Sequence, residues 1–110
     1  MKLEDAASRL EALGNPTRLK IYRALVRAGQ EGMPVGRLQE RLNVPGSTLS
    51  HHLKALVAVG LVTQTREGST LHCHTNYPVM RGLIEYMVEQ CCAEGTCASD
   101  TPIKLPPVAA

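Results

Sequence analysis

Two helix-forming segments joined by a short turn, with a β-hairpin directly after them, most constrain how this 110-residue chain can fold. Val35, Leu38 and Leu42 recur at helical spacing before the turn at residues 43–46, and a second helical segment runs from the turn to Gly60. Two helices joined by a turn of a few residues have helix-turn-helix spacing. This pair is the framework on which the other segments must pack.

The residues after Gly60 have the pattern of two antiparallel strands. Residues 61–65 alternate and are rich in β-branched side chains, residues 67–69 supply a turn, and residues 70–75 return as the second strand. A hairpin placed directly after the second helix of the pair is the arrangement of a wing. The sequence therefore predicts a mainly α-helical, α+β fold of the winged helix-turn-helix type.

Two helices are expected before this unit. Apolar residues recur at helical spacing over residues 3–13, which predicts an amphipathic helix. Asn15 is a good N-cap and Pro16 suits the first turn, so a second helix should begin there and stop near Gly29. Residues 30–33 are expected to form a loop before the helix that Pro34 opens.

The last predicted helix carries an apolar stripe that is too long for a small core to cover. It opens at Pro78, continues to Cys91 and is expected to end at Gly95. With three Tyr and no Phe or Trp, the chain builds only a modest core, so burying more apolar surface in a homodimer would help. We expect residues 1–98 to form one DNA-binding and dimerisation domain and the Pro-rich residues 99–110 to form a flexible tail.

The second helix of the pair has one apolar side, formed by Leu49, Leu53 and Leu56, and one polar side. Small hydroxyls, an imidazole and one Lys on the polar side can approach base edges and phosphates. Any amphipathic helix has a solvated face, but the order helix, turn, helix and hairpin favours DNA. The predicted DNA-binding residues are Ser47, Thr48, Ser50, His51 and Lys54 on this helix and Arg66 beside the hairpin turn.

At these residues the chain resembles the ArsR/SmtB family of bacterial metal- and metalloid-responsive repressors. The matching segments are residues 13–19, 47–56, 60–62 and 66–68, and the resemblance covers about residues 5–92. It implies a winged helix-turn-helix homodimer that binds a double-stranded DNA operator and releases it when an inducer binds. Because family members place their inducers at different sites, the resemblance alone does not name the inducer.

Three of the four cysteines lie close together near the C-terminus, at Cys91, Cys92 and Cys97. Three thiolates without a nearby His favour a soft, thiophilic ion. Trivalent arsenic matches three sulfurs and needs no fourth ligand, and some arsenic-responsive family members carry a similar cluster. Antimony would fit in the same way, whereas zinc or cadmium fits less well because zinc usually takes four ligands. The predicted inducer is therefore arsenite.

Other roles for the cysteines stay open. In a thiol redox sensor, Cys97 would pair with one of its two neighbours, since adjacent cysteines pair poorly with each other. Cys91 also continues the apolar stripe of the last helix, so it could simply belong to the core. Cys73 is expected to be structural, because on a strand it faces away from His72 and His74.

Several classes of function are not favoured. The chain has neither an apolar run of about 20 residues nor a basic, apolar leader, so a cytoplasmic protein without a membrane partner is expected. A Gly-rich phosphate loop, a Ser/His/Asp set and paired carboxylates are all missing, which argues against an enzyme. A module that sequesters metal or binds another protein, with a degenerate helix-turn-helix, stays as an alternative.

Overall fold

The computed structural model describes residues 1–96, in which five helices surround a three-stranded antiparallel sheet. The strand order in the sheet is β1-β3-β2. The predicted order of helix, turn, helix and hairpin is present. In chain order the elements are α1 (Leu3–Leu13), α2 (Pro16–Ala28), β1 (Met33–Pro34), α3 (Val35–Leu42), α4 (Gly46–Ala58), β2 (Val62–Glu67), β3 (Thr70–Thr75) and α5 (Tyr77–Val88).

Two helices begin with the same local signal. The Asn15 side chain accepts a hydrogen bond from the backbone N–H of Arg18 at 3.0 Å, and Pro16 occupies the first turn of α2. Asn76 accepts from the backbone N–H of Val79 in the same way at the start of α5. An Asn cap satisfies amides that a helix start leaves unpaired. The predicted start of α2 at Pro16 is confirmed, whereas α5 begins at Tyr77, one residue before the predicted Pro78.

The core is aliphatic and lies between the helices and the inner face of the sheet. The predicted apolar side of α4 is buried, since Leu49, Leu53 and Leu56 are almost inaccessible to solvent. Within the described residues no helix is long and apolar enough to cross a membrane. The largest fully buried side chains are Ile21, Leu25, Leu38, Leu49, Leu56, Leu61, Val62 and Cys73.

The short strand β1 was not predicted, and the expected loop at residues 30–33 is correspondingly shorter. Met33 pairs with Cys73 and Pro34 with His72, so β1 extends the hairpin to three strands. A strand of two residues has no periodicity, and it forms here because the second edge of β3 offers hydrogen-bonding partners. Pro34 is then the N-cap of α3 rather than its first residue.

The prediction that α5 reaches Cys91 and ends at Gly95 was wrong. The helix ends at Val88, and Cys91 is exposed rather than part of the core. Consecutive turns follow, and Cys92 adopts a left-handed backbone with φ of 62°. Met87 is 55% exposed, so the end of α5 has little packing, and further helical turns there would gain little stability.

Candidate DNA interface and thiol cluster

The helix α4 separates its apolar and polar residues as a recognition helix does. The predicted DNA-binding residues of this helix are all exposed, opposite the buried leucines, and they are Ser47, Thr48, Ser50, His51 and Lys54. The N-cap of α4 is Pro45, whose side chain makes no capping hydrogen bond. Because the amides of an uncapped helix start carry partial positive charge, this end of α4 favours a phosphate group.

Within the described residues the wing strands carry one Lys or Arg side chain, that of Arg66. Arg66 lies on β2 opposite Leu71, and its side chain is exposed. The turn that follows contains Gly68 with φ of 63°, a backbone conformation that suits glycine. The Arg66 guanidinium is therefore open to solvent near the tip of the wing.

Two arginines hold α4 against the helices that precede it. The Arg9 Nε donates to the Val59 carbonyl at 2.8 Å, which ties α1 to the end of α4. The Arg18 Nε donates to the His52 Nδ1 at 3.3 Å, and its Nη1 donates to the Ala12 carbonyl at 3.2 Å. Sequence reasoning assigned neither arginine a role, although Arg18 lies within one of the segments that carry the family resemblance.

His52 is a buried residue of α4. It is 9% exposed, and its ring lies 5.6 Å from that of His51, centroid to centroid. Burial, and after it the nearby Arg18 guanidinium and His51, lower the pKa of His52 below its ordinary value. This shift favours the neutral form of the ring, which can accept the hydrogen bond from Arg18.

Cys73 and the two histidines beside it face opposite sides of the sheet, as predicted. Cys73 is fully buried, accepts a hydrogen bond from the Gln64 amide at 3.4 Å, and has its pKa raised by burial. His74 lies on the other face, within hydrogen-bonding distance of Thr65 and of the Gln30 carbonyl. The Cys73 side chain therefore points away from those of His72 and His74, so the three residues cannot share one ion.

Two cysteines of the predicted cluster lie just after α5. The Cys91 and Cys92 Sγ atoms are 3.5 Å apart, with Cys91 exposed and Cys92 half-buried. Cys92 is disulfide-bonded, whereas Cys73 and Cys91 are free thiols. The third member, Cys97, lies outside the described residues. Within residues 1–96, no three Cys, His, Asp or Glu side chains converge in a way that could hold a metal ion.

An apolar groove opens between α1, α2 and α5. Its volume is about 950 Å³, and its walls include Leu10, Leu19, Leu83 and Met87. Three of these side chains are large and substantially exposed, which is costly for a small protein in water. The cations that border the groove are Lys20, Arg23, Arg27 and Arg41.

Comparison of the sequence with protein families and curated proteins finds DNA-binding regulators. Residues 13–65 match the family model described as a helix-turn-helix domain. The chain is 40% identical over 68 residues to an uncharacterised HTH-type transcriptional regulator, MJ1325, of Methanocaldococcus jannaschii, covering 62% of this chain and 74% of that protein. It is 42% identical over 66 residues to the putative arsenical resistance operon repressor ArsR of Halobacterium salinarum, covering 60% of this chain but only 50% of the relative.

Comparison of the fold with solved structures gives the same class of protein. An ArsR-like transcriptional regulator from Rhodococcus superposes with a TM-score of 0.69 at 30% identity, covering 83% of this chain and 82% of the other. The homodimeric winged helix-turn-helix DNA-binding domain Mb0332 of Mycobacterium bovis superposes with a TM-score of 0.64 at 27% identity, covering 80% and 82%. Both matches include most of the described residues, so the similarity extends well beyond the helix-turn-helix itself.

Proposed function

Because this chain belongs to the ArsR family of winged helix-turn-helix transcriptional regulators and is a DNA-binding repressor, we propose that trivalent arsenic controls its hold on the operator. The ion would bind at Cys91, Cys92 and Cys97. Binding would lower the affinity for operator DNA and so relieve repression. The chain itself performs no reaction, and its whole output is a change in DNA affinity.

The DNA side of the proposal rests on the exposed face of α4. Residues near the start of a recognition helix enter the major groove, where hydroxyl and imidazole groups reach base edges. We assign this role to the exposed Ser50 and His51, while Lys54 and Arg66 would contact phosphates. The division matters because base contacts select the operator, whereas phosphate contacts strengthen binding to any DNA.

We further propose that the repressor is a homodimer that buries the groove between α1, α2 and α5. The exposed apolar side chains that line this groove include Leu10 at 42% and Met87 at 55%, a surface that a stable monomer rarely leaves uncovered. The similar Mycobacterium domain is described as homodimeric. A two-fold dimer would present two copies of α4 to a palindromic operator.

One observation carries the inducer proposal, namely the position of Cys91 and Cys92 at the end of α5. A zinc–thiolate bond is about 2.3 Å long, so two sulfurs that share such an ion lie at most about 4.6 Å apart. The 3.5 Å between the two Sγ atoms meets this condition, and reduction of the disulfide at Cys92 would supply the second thiolate. The Halobacterium relative, named as an arsenical resistance operon repressor, supports arsenic as the ion.

An ion at the proposed site would be able to influence DNA binding. The two cysteines follow α5 directly, and α5 lines the groove that we assign to the dimer interface. An ion that ties the end of α5 to the following segment would alter this interface and the spacing of the two α4 helices. A coupling of about 1–3 kcal/mol changes affinity about 5- to 150-fold, which is enough for induction.

The test measures operator affinity with and without arsenite for the reduced protein. The reductant should be a phosphine, because dithiols themselves bind arsenite. We expect arsenite to weaken operator binding by wild-type protein and by the control variant Cys73→Ser. Replacing Cys91, Cys92 or Cys97 with Ser should abolish the response and leave repression intact. Release of DNA by the triple variant on adding arsenite would disprove the assignment.

A thiol redox sensor is the second candidate, and the disulfide at Cys92 favours it. In this case the oxidised and reduced proteins would differ in operator affinity without any ion. Peroxide treatment followed by a phosphine should then reverse DNA release, whereas arsenite should have no effect on the reduced form. Mass spectrometry of the reduced protein with arsenite, zinc and cadmium in turn identifies which ion binds.

A further inference from the structure

We propose that Arg18 is a positioning residue that clamps α4 against the end of α1 through His52, and that the clamp opens when His52 is protonated. The inference rests on the proposed role of α4 in reading DNA but not on arsenite or on the cysteines. It assigns operator recognition a determinant that does not touch DNA.

The contacts of Arg18 join three helices at one point. Its backbone N–H is held by the Asn15 cap at the start of α2. Its guanidinium donates from Nε to the His52 Nδ1 of α4 at 3.3 Å and from Nη1 to the Ala12 carbonyl of α1 at 3.2 Å. Because a guanidinium is planar and rigid, the two acceptors fix each other's position, which a lysine ammonium would not do.

His52 is coupled directly to the surface that we assign to DNA. The neighbouring His51 belongs to the exposed face of α4, and the two rings lie 5.6 Å apart in a tilted arrangement. A rotation or shift of α4 at His52 therefore moves His51 and Ser50 relative to the DNA. The clamp also ends on α1, which contributes to the groove assigned to the dimer interface, so it connects the two functional surfaces.

The hydrogen bond requires a neutral ring, because Nδ1 accepts only while it carries no proton. The charged or titratable groups that act on His52 are Arg18 from α2 and His51 from α4, while Arg9 of α1 reaches α4 at the Val59 carbonyl. Burial, and after it Arg18 and His51, lower the pKa of His52. The clamp is thus fully formed above the ordinary histidine pKa of about 6.5 and is lost as pH falls through the lowered pKa of His52 in the folded protein.

The test compares binding of operator and random DNA across pH, from about 7.5 to about 5.5, for the full chain. In the wild type we expect the ratio of the two affinities to fall about threefold or more at the acid end, as expected for loss of one hydrogen bond. His52→Gln keeps an acceptor and cannot titrate, so its ratio should be close to wild type near neutral pH and flat across the range. The wild type and His52→Gln are also measured in a His51→Asn background. This background removes the second imidazole, so any remaining pH dependence that His52→Gln abolishes belongs to His52.

Arg18→Lys separates the clamp from simple charge. This variant keeps the positive charge but loses the paired N–H donors of the guanidinium. We expect it to reduce the ratio of operator affinity to random-DNA affinity about three- to tenfold at neutral pH. Thermal unfolding and sedimentation must show a folded protein of unchanged assembly. A His52→Gln profile with the same pH dependence as wild type, or full discrimination by Arg18→Lys, would overturn the proposal. Unfolding of both variants would also overturn it, since the pair would then serve stability alone.

If the wild type itself does not distinguish operator from random DNA, the proposed function fails and the clamp loses its role. If the wild type discriminates but the variants behave identically to it, only the clamp fails. The two results are distinguishable within one set of measurements.

Discussion

Gly32 is the residue at which a single added carbon should do most damage. Its φ is +70°, and a Cβ there would meet the Cys73 carbonyl and lie 2.6 Å from the His74 Nδ1. We predict that Gly32→Ala lowers the free energy of unfolding by about 2–4 kcal/mol, through backbone strain and displacement of β3.

Gly36 provides the matched control for this substitution. A Cβ at Gly36 would meet no atom within 4 Å, and the residue lies in α3. Gly36→Ala should therefore raise the free energy of unfolding by about 0.5–1 kcal/mol, the usual gain from removing a helical glycine. Urea unfolding of both variants measures the difference, and equal effects would contradict the contacts described for Gly32.

The free thiols should differ sharply in reactivity. Burial raises the pKa of Cys73, and no solvent reaches its side chain, whereas Cys91 is exposed. We predict that iodoacetamide at about pH 8 modifies Cys91 rapidly and Cys73 only after unfolding, because the thiolate is the reactive form. Peptide mapping with and without urea tests this, and rapid labelling of Cys73 in the folded protein would contradict it.

The raised pKa of Cys73 also predicts the direction in which the free energy of unfolding changes with pH. The contribution of the buried, protonated thiol is fully present below the ordinary cysteine pKa of about 8.5. It is lost as pH rises above that value, because the unfolded chain then ionises more readily than the folded one. Cys73→Ala removes this alkaline loss, so comparing unfolding at neutral and alkaline pH for the two proteins checks the direction.

At the scale of the element, substitutions on α4 should change the preference for operator DNA, whereas a substitution on the wing should change the affinity for any DNA. We predict that Ser50→Ala or His51→Ala lowers the preference for operator over random DNA about fivefold, the loss of about 1 kcal/mol of base contact. Arg66→Ala should weaken binding to operator and to random DNA about equally. It should also lower the slope of log affinity against log salt concentration by about 1, because one fewer phosphate is neutralised. Fluorescence anisotropy at several salt concentrations measures both quantities.

Ala58 is the control for the reading face, because it is exposed at the opposite end of α4. Only the first turns of a recognition helix enter the major groove, so Ala58→Ser should leave operator preference unchanged. Unchanged preference in the Ser50 and His51 variants would mean that the reading face has been misplaced.

The elements that sequence could predict are those whose signals are local. The Asn15–Pro16 and Asn76–Pro78 pairs mark helix starts by themselves, and the leucine spacing of α4 marks its buried side. β1 has no local signal, since its two residues become a strand only by pairing with β3. The end of α5 was misplaced because the apolar stripe continues in sequence after packing has ceased at Val88.

The candidate site divides in the same way. The exposed face of α4 follows from helical geometry, so Ser50 and His51 could be selected from spacing alone. The contact between Arg18 and His52 could not, because the two residues are 34 positions apart and meet only in the packed fold. The cysteine cluster was visible as a cluster, but its geometry depends on where α5 ends and on Cys97, which is outside the described residues.

At the scale of the whole molecule, the exposed apolar groove determines the assembly that we expect. Leu10 of α1 and Met87 of α5 are exposed apolar side chains that line this groove, and a second copy would cover them. The dimer would place two α4 helices about 34 Å apart, one turn of DNA, so that each half of a palindrome is read once. A monomer reads only one half-site and therefore binds far more weakly.

We predict that Met87→Lys yields a folded monomer with strongly reduced operator affinity. The side chain is exposed in the single chain, so a lysine there costs the monomer little, whereas burying its charge in an interface is expensive. Val57→Lys is the control, because Val57 is also an exposed apolar residue but lies on α4, away from the residues that line the groove. Sedimentation should show a dimer for wild type and Val57→Lys and a monomer for Met87→Lys. A wild-type monomer at micromolar concentration with intact operator binding would refute the dimer, and with it the route by which an ion at the end of α5 reaches the DNA.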